Sequence, residues 1–230
     1  MSYHQTDLST AVVLIAVAIA AMLLSWIATT FVRLHTIRNA MFDVPNQRSS
    51  HSTPTPRGGG AAIASVALVC VAAVAVARWL PYRVAIALLG GGGLVAIVGW
   101  LDDRHHVNAA WRAVAHICAA TWAIAWLGGV EYVRLGHLGV IAGYLSDIIA
   151  VLAIVWMTNL YNFMDGIDGL AAIETIFVGA VGSGILLLGG TVGLAVISAS
   201  LAGAAAGFFI WNRMPARIFM GDVGSGFLGF

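Results

Sequence analysis

The sequence predicts an all-α protein, a polytopic transmembrane helix bundle of about seven spans followed by a truncated eighth. The 230-residue chain is 60% hydrophobic and only 9% charged, whereas a soluble domain carries about 25% charged residues. Its apolar residues also occur in runs of roughly 20, the length that crosses a bilayer as a helix. A single integral membrane domain over 1–230 is therefore expected, with the lipid bilayer as its environment. The net charge of +1 gives no bulk attraction to nucleic acid, so no nucleic-acid partner is expected.

The predicted spans follow the apolar runs in chain order. The first is preceded by "MSYHQTD", which has no basic segment, so it is not expected to be a cleaved signal peptide. Glycines four residues apart, at 139/143, 189/193 and 203/207, are typical of closely packed membrane helices. The spans are 10–32, 60–79, 84–101, 110–128, 141–161, 170–189 and 191–211, with an eighth beginning near 223.

The arginines predict the orientation of these spans. One set of inter-span segments contains eight arginines and the other contains three, and the richer set is expected in the cytoplasm. This places the N-terminus outside and predicts cytoplasmic segments at 33–59, 102–109, 162–169 and 212–222. The richer set is Arg33, Arg38, Arg48, Arg57, Arg104, Arg112, Arg213 and Arg217, and the other is Arg78, Arg83 and Arg134.

Three of the predicted cytoplasmic segments contain five of the ten acidic residues: Asp102, Asp103, Asp165, Asp168 and Asp222. Carboxylates at a membrane boundary are unfavourable, and adjacent ones repel each other. A divalent cation would relieve both effects, and Mg²⁺ is typically held by one or two carboxylates together with substrate phosphates. The pattern therefore predicts a phosphate-bearing substrate. Glycines of the same segments, such as Gly221 and Gly224, are expected to let backbone N–H groups approach phosphate.

Simpler interpretations remain open for each acidic segment. Asp102 and Asp103 could begin a solvated loop, Asp168 could cap the following helix, and "MGDVGSGFLG" (220–229) could be a tight turn. "GSGFLG" matches a dinucleotide fingerprint, but no strand precedes it. "DDRHH" lacks further ligands for zinc. A transporter or channel with an acidic cation path is the alternative function, although its carboxylates should lie near the midplane of the membrane.

Four motifs together resemble a known enzyme family. They are "DVPNQRSSHSTPTPRGGG" (43–60), "GWLDDR" (99–104), "NLYNFMDGIDGLAAIE" (159–174) and "IFMGDVGSGFLG" (218–229). The set resembles the polyprenyl-phosphate N-acetylhexosamine-1-phosphate transferases, the glycosyltransferase family 4 relatives of phospho-N-acetylmuramoyl-pentapeptide transferase. The resemblance implies Mg²⁺-dependent transfer of a sugar 1-phosphate from a UDP-N-acetylhexosamine to polyprenyl (undecaprenyl) phosphate, with release of UMP. It also implies a location in the inner (plasma) membrane and a place early in O-antigen (lipopolysaccharide), cell-wall or exopolysaccharide synthesis.

The resemblance also implies roles for individual residues. Asp222 would be a Mg²⁺ ligand, and Asp102 and Asp103 would lie beside the lipid phosphate, one of them as a base or further metal contact. Asn162, Asp165 and Asp168 would line the nucleotide pocket, and Arg57 would hold phosphate or its own loop. The family continues beyond residue 230 with more spans and a His-rich motif, so an inactive truncated fragment is a third interpretation. A homodimer is one arrangement compatible with the sequence.

Overall fold

The computed structural model describes residues 8–45, 53–134, 136 and 140–230, and within these the chain is helical, as predicted. Each predicted span corresponds to one helix, and most helix boundaries lie within a few residues of the prediction. The first helix is longer than predicted and includes Arg33 and Arg38. The helices are Leu8–Arg38 (α1), Gly60–Val76 (α2), Tyr82–His105 (α3), Ala109–Leu127 (α4), Tyr144–Met164 (α5), Leu170–Leu188 (α6), Val192–Asn212 (α7) and Gly221–Gly229 (α8).

Two short antiparallel pairs of strands lie between the helices. Phe42–Asp43 (β1) pairs with Thr55–Pro56 (β2), and Tyr132–Arg134 (β3) pairs with Val140–Ala142 (β4). The second pair corrects the predicted start of the fifth span at 141, because residues 140–142 are extended. The middle of the first motif, including Arg48, lies outside the described residues.

Five of the described helices are long and apolar enough to cross a membrane: α1, α3, α5, α6 and α7. Helix α2 is apolar but has only 17 residues, and α4 contains Arg112 and His116. Together with the apolar composition, these helices make the chain a multi-pass membrane protein. The count of seven spans stays a prediction.

Helix α7 lies at the centre of the bundle and packs against α1, α2 and α6. Small residues make this possible, because a Cβ added at Gly203 or Gly207 would collide with the carbonyl oxygens of Ala18 or Met22 in α1. Gly193 lies in the same way against Trp79. The predicted role in helix packing is confirmed for Gly193, Gly203 and Gly207. Among the described residues, a Cβ added at Gly189 would meet only its own helix and one at Gly143 would meet no atom within 4 Å, so the prediction was wrong for these two. Gly139 lies outside the described residues.

Helix α8 is held between α2, α3 and α5 by further glycines. A Cβ at Gly60 would collide with Gly224, and one at Gly99 would lie 2.5 Å from the backbone oxygen of Asp222. Gly224 was expected to face phosphate, but the structure places it in a helix–helix contact with no room for a side chain. These close approaches bring the start of α8 against the end of α3.

Candidate active site

The carboxyl groups of Asp102 and Asp103 lie in the last turn of α3, which continues to His105. This corrects the predicted loop 102–109, which begins only after the helix. Both residues are buried, with 6% and 3% of their surface exposed. Arg57 stabilises the helix end, because its Nε donates to the carbonyl oxygen of Asp103 at 2.9 Å and its Nη2 to that of Asp102 at 3.1 Å. Carbonyls in a last helical turn lack partners within the helix, and the guanidinium supplies them.

The Asp103 side chain caps a different helix. Its Oδ1 accepts from the backbone N–H of Asp222 at 3.0 Å, and its Oδ2 accepts from that of Val223 at 3.2 Å. These N–H groups are in the first turn of α8, where a negative charge also interacts favourably with the helix dipole. Gly221 has a φ of +74°, and an added Cβ there would collide with Asp103. Asp103 therefore holds α8, and with it Asp222, against the end of α3.

Asp222 and Asp102 are brought into direct contact by this arrangement. Their carboxyl groups lie within hydrogen-bonding distance of each other. Arg112, from the first turn of α4, contacts both: its Nη1 lies 2.6 Å from Asp102 Oδ2 and 3.0 Å from Asp222 Oδ2. Two carboxylates from separate helices therefore share one cationic group.

Asn162, near the end of α5, joins the same cluster. Its Nδ2 donates to Asp222 Oδ1 and, at 3.0 Å, to the hydroxyl oxygen of Ser225. The Ser225 hydroxyl in turn donates to the carbonyl oxygen of Gly221 at 3.0 Å. The Asn162 amide thereby orients the Asp222 carboxylate from the side opposite Arg112.

The "DGIDGL" segment is joined to the connection between α7 and α8. Asp165 accepts from the backbone N–H of Gly221, and Asp168 Oδ2 accepts from that of Ala216 at 3.0 Å. Asn212, which is buried, accepts from the N–H of Gly169 and donates to the carbonyl oxygen of Ile218, both at 3.0 Å. The structure therefore places Asp165 beside the Asp222 cluster, while Asp168 faces the 213–220 connection.

Ionisation of most of the carboxyl groups in this cluster is unfavourable, because they are buried and their negative charges repel each other. Burial, followed by the contact with Asp102, raises the pKa of Asp222. Burial also raises the pKa of Asp165 well above its ordinary value, and the negative charges of Asp103 and Asp222 raise it further. Four carboxyl groups meet here, and within the described part of the chain Arg57 and Arg112 are the arginines that contact them. Further positive charge would stabilise the ionised cluster.

This cluster could supply a metal ion with only a few protein ligands. Within the residues that the structure describes, no group of three or more His, Cys, Asp or Glu side chains is arranged to hold a metal ion. The adjacent carboxylates of Asp102 and Asp222 match the smaller protein contribution that Mg²⁺ needs when substrate phosphates complete its shell.

Sequence reasoning missed three residues of the site: Arg112, Ser225 and Asn212. Arg112 had been counted only for orientation, although it is the one arginine inside the apolar run of α4. That position was a usable signal, because a charge in such a run requires a partner. Nothing in the sequence indicated that Asn212 would bridge two loops.

Comparison with known proteins identifies the family to which the chain belongs. Residues 84–230 match the model described as glycosyl transferase family 4. The matched region contains Asp102, Asn162, Asp165 and Asp222, and it makes up more than half of the chain. This chain belongs to glycosyl transferase family 4.

Several curated relatives of this glycosyl transferase family 4 chain carry specific names. A decaprenyl-phosphate N-acetylglucosaminephosphotransferase of Mycolicibacterium smegmatis is 36% identical over 232 residues, covering 93% of this chain and 57% of the relative. The Mycobacterium tuberculosis protein of the same name is 36% identical over 235 residues, with 93% and 57% covered. A phospho-N-acetylmuramoyl-pentapeptide-transferase of Chlamydia muridarum is 37% identical over 166 residues, covering 62% of this chain and 49% of the relative. The chain thus spans between about half and three fifths of the length of these relatives.

Proposed function

We propose that this chain transfers an N-acetylhexosamine 1-phosphate from a UDP-sugar to polyprenyl phosphate, with Mg²⁺ as cofactor and UMP as product. The observation that carries the proposal is the meeting of Asp102, Asp222 and Asn162 at one end of an apolar bundle. The relatives named for N-acetylglucosamine phosphotransfer support N-acetylglucosamine as the first donor sugar to test.

The reaction joins two phosphates. An oxygen of polyprenyl phosphate attacks the phosphorus that carries the sugar, and the bond from that phosphorus to the bridging oxygen breaks, so that UMP leaves with the electron pair. The acceptor phosphate is already an anion near neutral pH, so no strong base is required. Alignment and charge stabilisation are the principal tasks.

The residues divide these tasks. Asp222 and Asp102 would hold Mg²⁺, which, when bound, neutralises the diphosphate and the leaving UMP. Asn162 orients Asp222, while Asp103 and Arg57 keep α8 and α3 in register through backbone contacts. We propose that Asp165 and Asp168 line the nucleotide pocket. Asp165 also ties its loop to the start of α8 through Gly221, and Asp168 ties it to the 213–220 connection through Ala216.

The membrane setting is consistent with this chemistry. A polyprenyl chain must stay in the lipid while its phosphate meets a soluble nucleotide, and the acidic cluster lies where the apolar helices end. We place this end at the cytoplasmic face of the inner membrane from the arginine distribution. The same location weighs against a transporter, whose carboxylates would lie on broken helices near the midplane.

The direct test is the release of UMP by the purified 230-residue chain. UDP-N-acetylglucosamine and UDP-N-acetylmuramoyl-pentapeptide are supplied in parallel with undecaprenyl phosphate and Mg²⁺. We expect release with one donor, loss of release with EDTA, and a loss of several orders of magnitude in Asp222→Asn. Glu131→Gln is the matched control, because it makes the same chemical change at an exposed position outside the cluster. A folded chain that releases no UMP with either donor would refute the proposal for this chain.

A further inference from the structure

Arg112 has a position that the proposed reaction does not explain. A single nitrogen, Nη1, lies 2.6 Å from a carboxylate oxygen of α3 and 3.0 Å from one of α8. One cationic atom between two carboxylates is also the arrangement in which a bridging metal ion would be held. Arg112 therefore lies where the Asp102–Asp222 pair would bind a divalent cation.

We propose that Arg112 is a resident counter-ion of this pair, which a divalent cation displaces when it binds. The inference rests on the proposed function, since it takes Asp102 and Asp222 as the metal ligands. In the metal-free chain the guanidinium keeps the two carboxylates together. When the cation binds, the guanidinium moves aside, and the site is assembled without a large movement of α3 or α8.

The charges of the site support this role. Arg57 directs its nearest hydrogen bonds to the carbonyl oxygens of Asp102 and Asp103, and its Nε lies 3.9 Å from the Asp103 carboxylate. Among the described residues, the ion pairs of Asp102 and Asp222 are both with Arg112. Without a cation, the two carboxylates would face each other at close range in a partly buried position, which is unfavourable. A cation is therefore required between them in every state of the ionised site.

The structure also provides a place for the displaced side chain. Arg112 is partly exposed, at 35% of its side-chain surface. A cavity of about 100 Å³ adjoins it and is lined by His116, Asn159 and Asn162, among other residues. The Nδ1 atom of His116 is buried, and none of the residues that the structure describes forms a hydrogen bond with it. In its neutral form this nitrogen can accept a hydrogen bond from the guanidinium once Arg112 leaves the carboxylates.

The test measures metal binding, with Mn²⁺ as a visible substitute for Mg²⁺. The full chain in neutral detergent is titrated with Mn²⁺, free Mn²⁺ is counted by electron paramagnetic resonance, and thermal unfolding is followed with and without the ion. Arg112→Gln removes the competing charge and is expected to tighten Mn²⁺ binding by about tenfold or more. It should lower the unfolding midpoint of the metal-free chain, and saturating Mn²⁺ should restore it. Arg112→Lys keeps the charge and should bind Mn²⁺ much as the unaltered chain does.

Arg104→Gln is the matched control, because it removes the same charge from an exposed residue next to Asp103. Equal Mn²⁺ affinity in Arg112→Gln and Arg104→Gln, with binding in the unaltered chain, would overturn the inference and leave the proposed function intact. A destabilised Arg112→Gln that Mn²⁺ does not restore would show a purely structural role and also overturn it. An unaltered chain that neither binds Mn²⁺ nor releases UMP would remove the proposed function itself.

Discussion

The contact between Gly60 and Gly224 offers a sharp test of how packing positions the site. In Gly60→Ala, the new Cβ would lie 2.7 Å from the backbone nitrogen of Gly224 and 2.9 Å from the Cγ of Met220. Favourable contacts between such atoms occur at about 3.5–4.0 Å. Helices α2 and α8 must therefore separate by about 1 Å, because the nearest obstacles include backbone atoms.

Both stability and turnover should respond. Overpacking of this kind costs about 1–3 kcal/mol, which corresponds to a fall in the unfolding midpoint of roughly 2–12 °C for a chain of this size. A displacement of α8 by about 1 Å moves Asp222 relative to Asp102 and should reduce UMP release by about 100-fold. Differential scanning fluorimetry and the UMP assay measure the two effects.

Gly93→Ala is the matched control, because no atom of the described residues lies within 4 Å of the Cβ that it would add to α3. It should leave UMP release unchanged and raise stability by up to about 1 kcal/mol, since alanine favours the helix. Equal turnover in Gly60→Ala and Gly93→Ala would refute the argument that glycine packing positions Asp222.

Three further substitutions probe single groups of the site. Arg57→Lys cannot reproduce the forked contact with the carbonyl oxygens of Asp102 and Asp103, so UMP release should fall by about 10-fold or more and the unfolding midpoint by a few degrees. Asn162→Ala leaves Asp222 without its orienting amide and should lower UMP release by about 10-fold or more with little change in the midpoint; an unchanged rate would count against that role. Asp165 has a raised pKa from burial and from the charges of Asp103 and Asp222, so its ionisation disfavours the folded state. The stability of the metal-free chain should therefore fall, relative to Asp165→Asn, as pH rises from about 4 through the raised folded pKa. Unfolding midpoints across that range measure this, and a stability advantage of Asp165→Asn that shrinks as pH rises would contradict the assignment.

Much of the helical architecture could be predicted because a membrane helix appears in the sequence as a long apolar run. The boundaries of α6 and α7 follow directly from the runs at 170–189 and 191–211. The end of α3 could not be predicted from local pattern, because its last turn is stabilised by contacts with Arg57 and α8, which are distant in the sequence. The small β3–β4 hairpin was missed since its residues are too few to give a strand pattern.

The sequence predicted which residues belong to the site better than it predicted the contacts between them. Acidic residues in otherwise apolar surroundings drew attention to Asp102, Asp165 and Asp222, and the family resemblance added Asn162. The structure brings all four together. Arg112 was missed as a site residue because a single arginine at the start of a span also serves orientation. The tertiary cap made by Asp103 joins residues more than a hundred positions apart, and no local pattern contains such a contact.

The central claim is that the end of α3 and the start of α8 form one divalent-cation site. Fe²⁺ bound in place of Mg²⁺ reduces added hydrogen peroxide to hydroxide and a hydroxyl radical, and ascorbate returns the Fe³⁺ to Fe²⁺. The radicals cleave nearby backbone, so the cut positions report the location of the ion. We predict cuts beside Asp102 and beside Asp222 in the same molecules, suppressed by excess Mg²⁺ and absent in Asp222→Asn. Cuts confined to one of these segments, or cuts at the β3–β4 hairpin that Mg²⁺ suppresses, would contradict it.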